Sequence, residues 1–154
     1  SILEGLHKGA QMTTTDEVRN KVQRILSQNW NTRLGSDGEF MVDSGSTSCR
    51  ITCFEGGNDS TWILLQAPIL IDVPLSGDLY EHVATAGNNQ YFGKMHIHPN
   101  EDASTGWLWY SHTLLGDFLD PEELNQAIAL VLFTADSFDD ELQPRFGGKR
   151  LEET

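Results

Sequence analysis

Two histidines one residue apart, His96 and His98 in the run MHIHPNED, have the clearest capacity for metal chemistry in this chain. On a strand they would project to one side about 7 Å apart. Imidazoles so placed can share a zinc or iron ion, with Glu101 completing a two-histidine, one-carboxylate set. His112 would approach the same place if its strand pairs with theirs as a hairpin. Histidines near a strand end are more commonly solvated, so the expectation is no metal and no cofactor, with His96, His98 and Glu101 as the alternative ligand set.

Nucleophilic chemistry finds little footing. Ser111, His112 and Asp117 are close in sequence, but adjacent strand residues point to opposite faces. No Gly-x-Ser-x-Gly elbow, activated cysteine or phosphate-cradling glycine loop accompanies them. The reading is a binding module with no catalytic residue. Cys49 and Cys53 alternate with Ile51 in STSCRITCF, so both thiols face one side of a strand. Four steps separate their Cα atoms by about 13 Å, whereas a disulfide needs roughly 4.4–6.8 Å. Free, buried thiols are expected.

Aromatic and charged side chains offer binding surfaces instead. Trp107 and Trp109 share one face of a strand and, with Trp62 on another, could present an aromatic platform to an apolar side chain of a client. Core packing is the plainer alternative. Asp136, Asp139, Asp140 and Glu141 share a helix face, but no oxygen-supplying loop of the calcium type lies beside them. The preferred explanation is structural: Arg145, Lys149 and Arg150 fold back onto these carboxylates and dock Phe146 through the Gly147-Gly148 turn.

The elements that must position these residues follow from periodicity. Val18, Val22, Ile25 and Leu26 make one apolar stripe of a helix over 16–29, with Thr14 and Glu17 as a capping box. Strands are expected over 39–43, 48–55 and 61–73, divided by glycine-rich turns. Pro68 demands an edge position or a bulge in the third. A short helix over 75–86 presents Leu79, Val83 and Ala86 on one side, and strands over 91–98 and 106–114 follow. The last helix has Asp120 as N-cap and Pro121 at its first position. It buries Leu124, Ala127, Ile128, Val131, Leu132 and Ala135 and is expected to stop at Pro144 and Gly147-Gly148. The order αβββαββα describes an α+β fold with an antiparallel sheet and helices.

Composition bounds the partners. The 154 residues, 38% apolar, fit one core. Twenty-three acidic against ten basic side chains give a formal charge of −13, which repels nucleic acid and anionic membrane surfaces. With neither a signal-peptide run nor a membrane-spanning run, a cytoplasmic location is expected. Residues 1–14 read as an N-terminal extension, 15–148 as one domain and 149–154 as a C-terminal tail.

The run HTLLGDFLDPEELNQAIALVLFTADSFDDELQPRFGG, together with this order of elements, resembles the YbjN and type III secretion chaperone-like family, especially its actinobacterial peptide-binding-chaperone-like members. The resemblance covers roughly Asp16 to Gly148 and is sharpest from Tyr110 onward, including Gly116-Asp117 and Arg145-Phe146-Gly147-Gly148. It implies a secretion-chaperone-like fold and a non-enzymatic domain, paired as a homodimer, that binds an extended segment of a protein or peptide client.

Overall fold

The computed structural model describes residues 15–154; the expected extension over 1–14, and Thr14 of the expected capping box, lie outside the described residues. Helix α1 (Thr15–Asn29) follows the apolar stripe, burying Val18, Val22, Ile25 and Leu26, with Asp16 and Glu17 in the first turn, where exposed amides favour negative charge. Each buried aliphatic side chain contributes about 1.5–3 kcal/mol. Trp30 closes the helix: its amide bonds Leu26 O at 2.8 Å, and its indole Nε1 donates to Asn125 Oδ1 at 3.0 Å.

Six strands follow in one antiparallel sheet: β1 (Thr32–Leu34), β2 (Phe40–Ser44), β3 (Thr47–Glu55), β4 (Thr61–Pro74), β5 (Lys94–Pro99) and β6 (Thr105–Leu115), in spatial order β1-β2-β3-β4-β6-β5. The α+β class and antiparallel sheet agree with the expectation, but β1 is additional, so the order is αββββαββα. Three residues are too few to display alternation, and β1 exists by pairing with β2 from Thr32↔Val42 to Leu34↔Phe40. Pro68 sits in the central strand β4, and the β4–β6 register slips between Pro68 and Leu70 and again before Val73. The bulge admits a residue that has no N–H to give.

Helix α2 (Gly77–Ala86) starts two residues later than expected because Ser76 is its N-cap, Oγ accepting from the Leu79 amide at 3.1 Å. The strand expected from Tyr91 begins only at Lys94. Gly93 is pinned instead, its amide donating to Tyr110 Oη at 3.0 Å, and a Cβ there would lie 2.6 Å from Ser111 O. Helix α3 (Pro121–Phe146) has the expected cap, Asp120 Oδ1 accepting from the Glu122 amide at 2.8 Å. Contrary to expectation it runs through Pro144. Leu142 is buried and keeps the last turns docked, and termination falls to Gly147, at φ 79°, whose amide bonds Gln143 O at 2.9 Å.

Helix α3 lies across β3, β4 and β6; α1 packs on β3 and α3, and α2 on β5. The core therefore occupies one side of the sheet, where Ile51, Ile63, Leu65, Ala67, Leu108 and Tyr110 are all buried. Among the described residues no helix is long and apolar enough to cross a membrane.

Candidate functional site

Directly paired residues in an antiparallel ladder face the same way, so the register sorts every strand side chain. Ile51↔Leu65, Ile63↔Leu114 and Ala67↔Tyr110 point into the helices. Their neighbours point to the opposite, helix-free face. Three rows matter there. Phe54↔Trp62 and Trp62↔Leu115 form an apolar row at one end, 37%, 37% and 59% exposed respectively, with the Phe54 and Trp62 rings 6.1 Å apart. Arg33↔Met41, Met41↔Arg50, Arg50↔Gln66, Gln66↔Ser111 and Ser111↔Lys94 form a second row across all six strands. Pro68↔Trp109 and Trp109↔His96 begin the third, beside Trp107↔His98.

Trp62, Trp107 and Trp109 thus share the helix-free face but not one platform. Trp107 and Trp109 stack at 5.3 Å and 22°. Trp62 lies six β4 steps from Pro68, the partner of Trp109, about 20 Å away at roughly 3.3 Å per residue. The face has two apolar ends with polar and cationic residues between. Phe54, Leu115 and the cations Arg33, Arg50 and Lys94 escaped sequence reasoning. Their alternation within each strand was visible, but the pairing that aligns them was not.

A groove of about 210 Å³ opens on this face, its walls including Met41, Arg50, Pro68, Trp107, Trp109 and Leu151. Arg33 also lines it and is tied to Asp43 at 2.8 Å; that guanidinium, with the Ser48 hydroxyl, holds the Asp43 carboxyl below its usual range. Arg50 is less committed. Its nearest carboxylate, the exposed Asp37, stands 3.8 Å from Nη2, and its Nε is buried without a hydrogen-bond partner. Glu39 lines the groove too, with Oε2 accepting from the Asp37 amide at 3.0 Å.

The C-terminal segment reaches this groove from the helix side. Lys149 and Ile71 exchange two backbone hydrogen bonds of 2.7 Å, occupying β4 beyond the end of its pairing with β3. Arg150 holds Asp140 at 2.8 Å and approaches Asp139 at 3.7 Å, and Leu151 then lies at the groove wall. Of the three cations assigned to the acidic helix face, Arg150 alone has an ion pair with Asp139 and Asp140 among the described residues. Arg145 turns away, with Nη1 3.3 Å from His82 Nδ1 and its guanidinium over the Phe146 ring, which packs on His82 at 5.5 Å. Asp136 instead borders a shallow hollow with Trp30 and Phe133. Burial pushes the Asp139 carboxyl up to about 6, with Asp136 and Asp140 adding to it and Arg150 opposing.

The histidines do not converge. His96 and His98 face the helix-free side through their pairing with Trp109 and Trp107. His112 pairs with Leu65 and faces the helices, stacked on Phe92 at 3.9 Å, so the hairpin forms but its register carries His112 to the other side. No cluster of three potential metal ligands occurs among the described residues, and Glu101 lies in the β5–β6 turn. His96 Nε2 is 2.6 Å from Ser111 Oγ; burial first, then Lys94 and His98, lower its pKa. Ser111 is only 2% exposed, which closes it to a substrate. Both cysteines are free, Cys49 buried and Cys53 partly so.

Comparison with known proteins gives the same architecture. The crystal structure of YbjN from E. coli, described there as a candidate transcription regulator, superposes with a TM-score of 0.54 at 13% identity, covering 77% of this chain and 90% of that one. No curated protein is significantly similar in sequence. Residues 15–154 match the family model described as T3SS (YopN, CesT) and YbjN peptide-binding chaperone 1, and a match over that length places the chain in that family.

Proposed function

We propose that this domain binds an extended segment of a client polypeptide on the helix-free face of its sheet, with Trp107 and Trp109 at one end and Phe54, Trp62 and Leu115 at the other as apolar contacts. The family, whose description is that of a peptide-binding chaperone, supports the class of ligand. The observation that carries the site is the contrast between the two faces. One is sealed by three helices, while the other leaves large apolar side chains accessible in paired rows. An extended peptide laid on this face can bury such side chains. On this reading the domain performs no catalysis, takes no cofactor and acts as a homodimer in the cytosol, the pairing resting on the family alone.

The test is selection of peptides from a displayed random library on the immobilised protein, followed by anisotropy titration of the winners. Trp109→Ala and Trp62→Ala should each weaken binding roughly tenfold or more, as truncation of an aromatic anchor does. Phe133→Ala, exposed on the helix side at 72%, should leave it unchanged. Equal binding by all three variants would move the site elsewhere. Sedimentation of the same protein reads the oligomeric state.

A further inference from the structure

The geometry points to an acidic client: an extended segment carrying carboxylates and at least one aliphatic side chain, which crosses the cationic row of Arg33, Arg50 and Lys94 on its way between the two apolar ends. This rests on the peptide-binding reading and adds the chemistry of the peptide.

The row is cationic in a protein that is not. The chain carries −13 overall, yet the six residues registered from β1 to β5 comprise three cations, Met41, Gln66 and Ser111, and no carboxylate. The Glu39 carboxylate also lines the groove but accepts from the Asp37 amide, and the two other nearby acids satisfy these cations unevenly. Asp43 takes Arg33 in an exposed pair, which is readily exchanged in water. Asp37 reaches Arg50 only at 3.8 Å and is itself 80% exposed. The Arg50 side chain is 38% exposed, and the accessible end of its planar guanidinium suits a bidentate contact with a carboxylate seated in the groove. Lys94 stands on the exposed edge strand.

Length and apolar spacing agree. The two apolar ends stand about 20 Å apart, the reach of about six extended residues, and Gln66 of the cationic row lies between Trp62 and Pro68 on β4. One side of the row borders the stacked Trp107 and Trp109, the natural seat for an aliphatic side chain. Leu151 of the chain's own tail already lies against that wall. The global negative charge does not forbid an acidic ligand, because salt screens charges beyond about 8 Å at physiological ionic strength while the three cations act at contact distance. Nucleic acid is the rival polyanion, but its charge runs on beyond a row this short, over surfaces of the protein's own sign.

The experiment is to read the composition of peptides selected on the full chain, then titrate the best of them at low and high salt against wild type, Arg50→Gln and Lys94→Gln. The expected result is enrichment in Asp and Glu around a Leu, Ile or Val, affinity that falls with salt, and a loss of roughly tenfold in Arg50→Gln. Lys94→Gln, at an exposed edge, keeps the test sound should the half-buried Arg50 be needed for folding. Selected peptides that are neutral or basic, or that bind both variants like wild type, overturn the acidic client and leave peptide binding standing. Enrichment of no peptide removes both readings. Parallel titration with a labelled 12-nucleotide single strand and a duplex adds the last arm: Arg50-dependent oligonucleotide binding would reassign the row and overturn the proposal.

Discussion

His96 and Ser111 meet diagonally across the β5–β6 hairpin, Nε2 to Oγ at 2.6 Å, on the helix-free face. The contact gives this histidine a partner within the sheet, and it predicts a cost for breaking it. Ser111→Ala leaves a half-buried imidazole nitrogen unpaired and should lower stability by about 1 kcal/mol, read by urea denaturation at pH 8. The pH dependence has a definite sign. The folded pKa of His96 is lowered, so the unfolded state takes up the proton first as pH falls below about 6.5. Stability is therefore intact above that pH and declines below it, and His96→Gln should flatten part of the decline. His112, also lowered chiefly by burial, contributes in the same direction.

Gly116 is held where β6 leaves the sheet, its amide bonding Thr61 O at 2.7 Å. A Cβ there would stand 2.6 Å from Val18 Cγ1 and 3.1 Å from Thr61 O. Gly116→Ala should therefore force α1 away from the sheet and cost roughly 1–3 kcal/mol, the usual range for overpacking. Thermal denaturation measures it, and an unchanged midpoint would show that Val18 can move aside.

The elements that sequence made legible are those specified locally. The stripe of α1 and the Asp120-Pro121 cap of α3 each lie within a few residues, and the structure reproduces them. What escaped is decided by partners distant in sequence. β1 has no pattern of its own and is a strand only through Val42, Met41 and Phe40. The distance between Trp62 and Trp109 depends on how β4 registers with β6, and the side chosen by His112 depends on its pairing with Leu65. Alternation along one strand says which residues share a face, but not which strand lies beside it. The cationic row is the extreme case, since its six residues come from six strands.

Asp139 carries the opposite pH sign from His96. Its folded pKa, about 6, is raised above the usual 3.8, so the ionised form is disfavoured in the fold. That cost is present above about pH 6 and is relieved as the pH falls toward 4. Asp139→Asn should remove it, raising stability at pH 8 by at most about 3 kcal/mol, at roughly 1.4 kcal/mol for each unit of pKa. Loss of attraction to Arg150, 3.7 Å away, subtracts from that ceiling. The gain should shrink at pH 5, and a variant less stable than wild type at pH 8 would show that the Arg150 contact outweighs the burial of charge.

Burial drives both thiols away from their reactive form, pushing Cys49 up to about 12 and Cys53 up to about 11. The thiolate is the nucleophile, so at pH 8 only about one Cys53 in a thousand is ionised, and Cys49 about tenfold fewer. Alkylation of the native protein should be slow, with Cys53 leading because it is partly accessible whereas Cys49 is buried. In denaturant both should react at the rate of an ordinary thiol. Mass spectrometry after timed iodoacetamide exposure resolves the two sites. Prompt labelling of Cys49 in native buffer would mean that the β2–β3–β4 side of the core opens readily, because Cys49 pairs with Val42 beneath α1 and can be reached only if that packing yields.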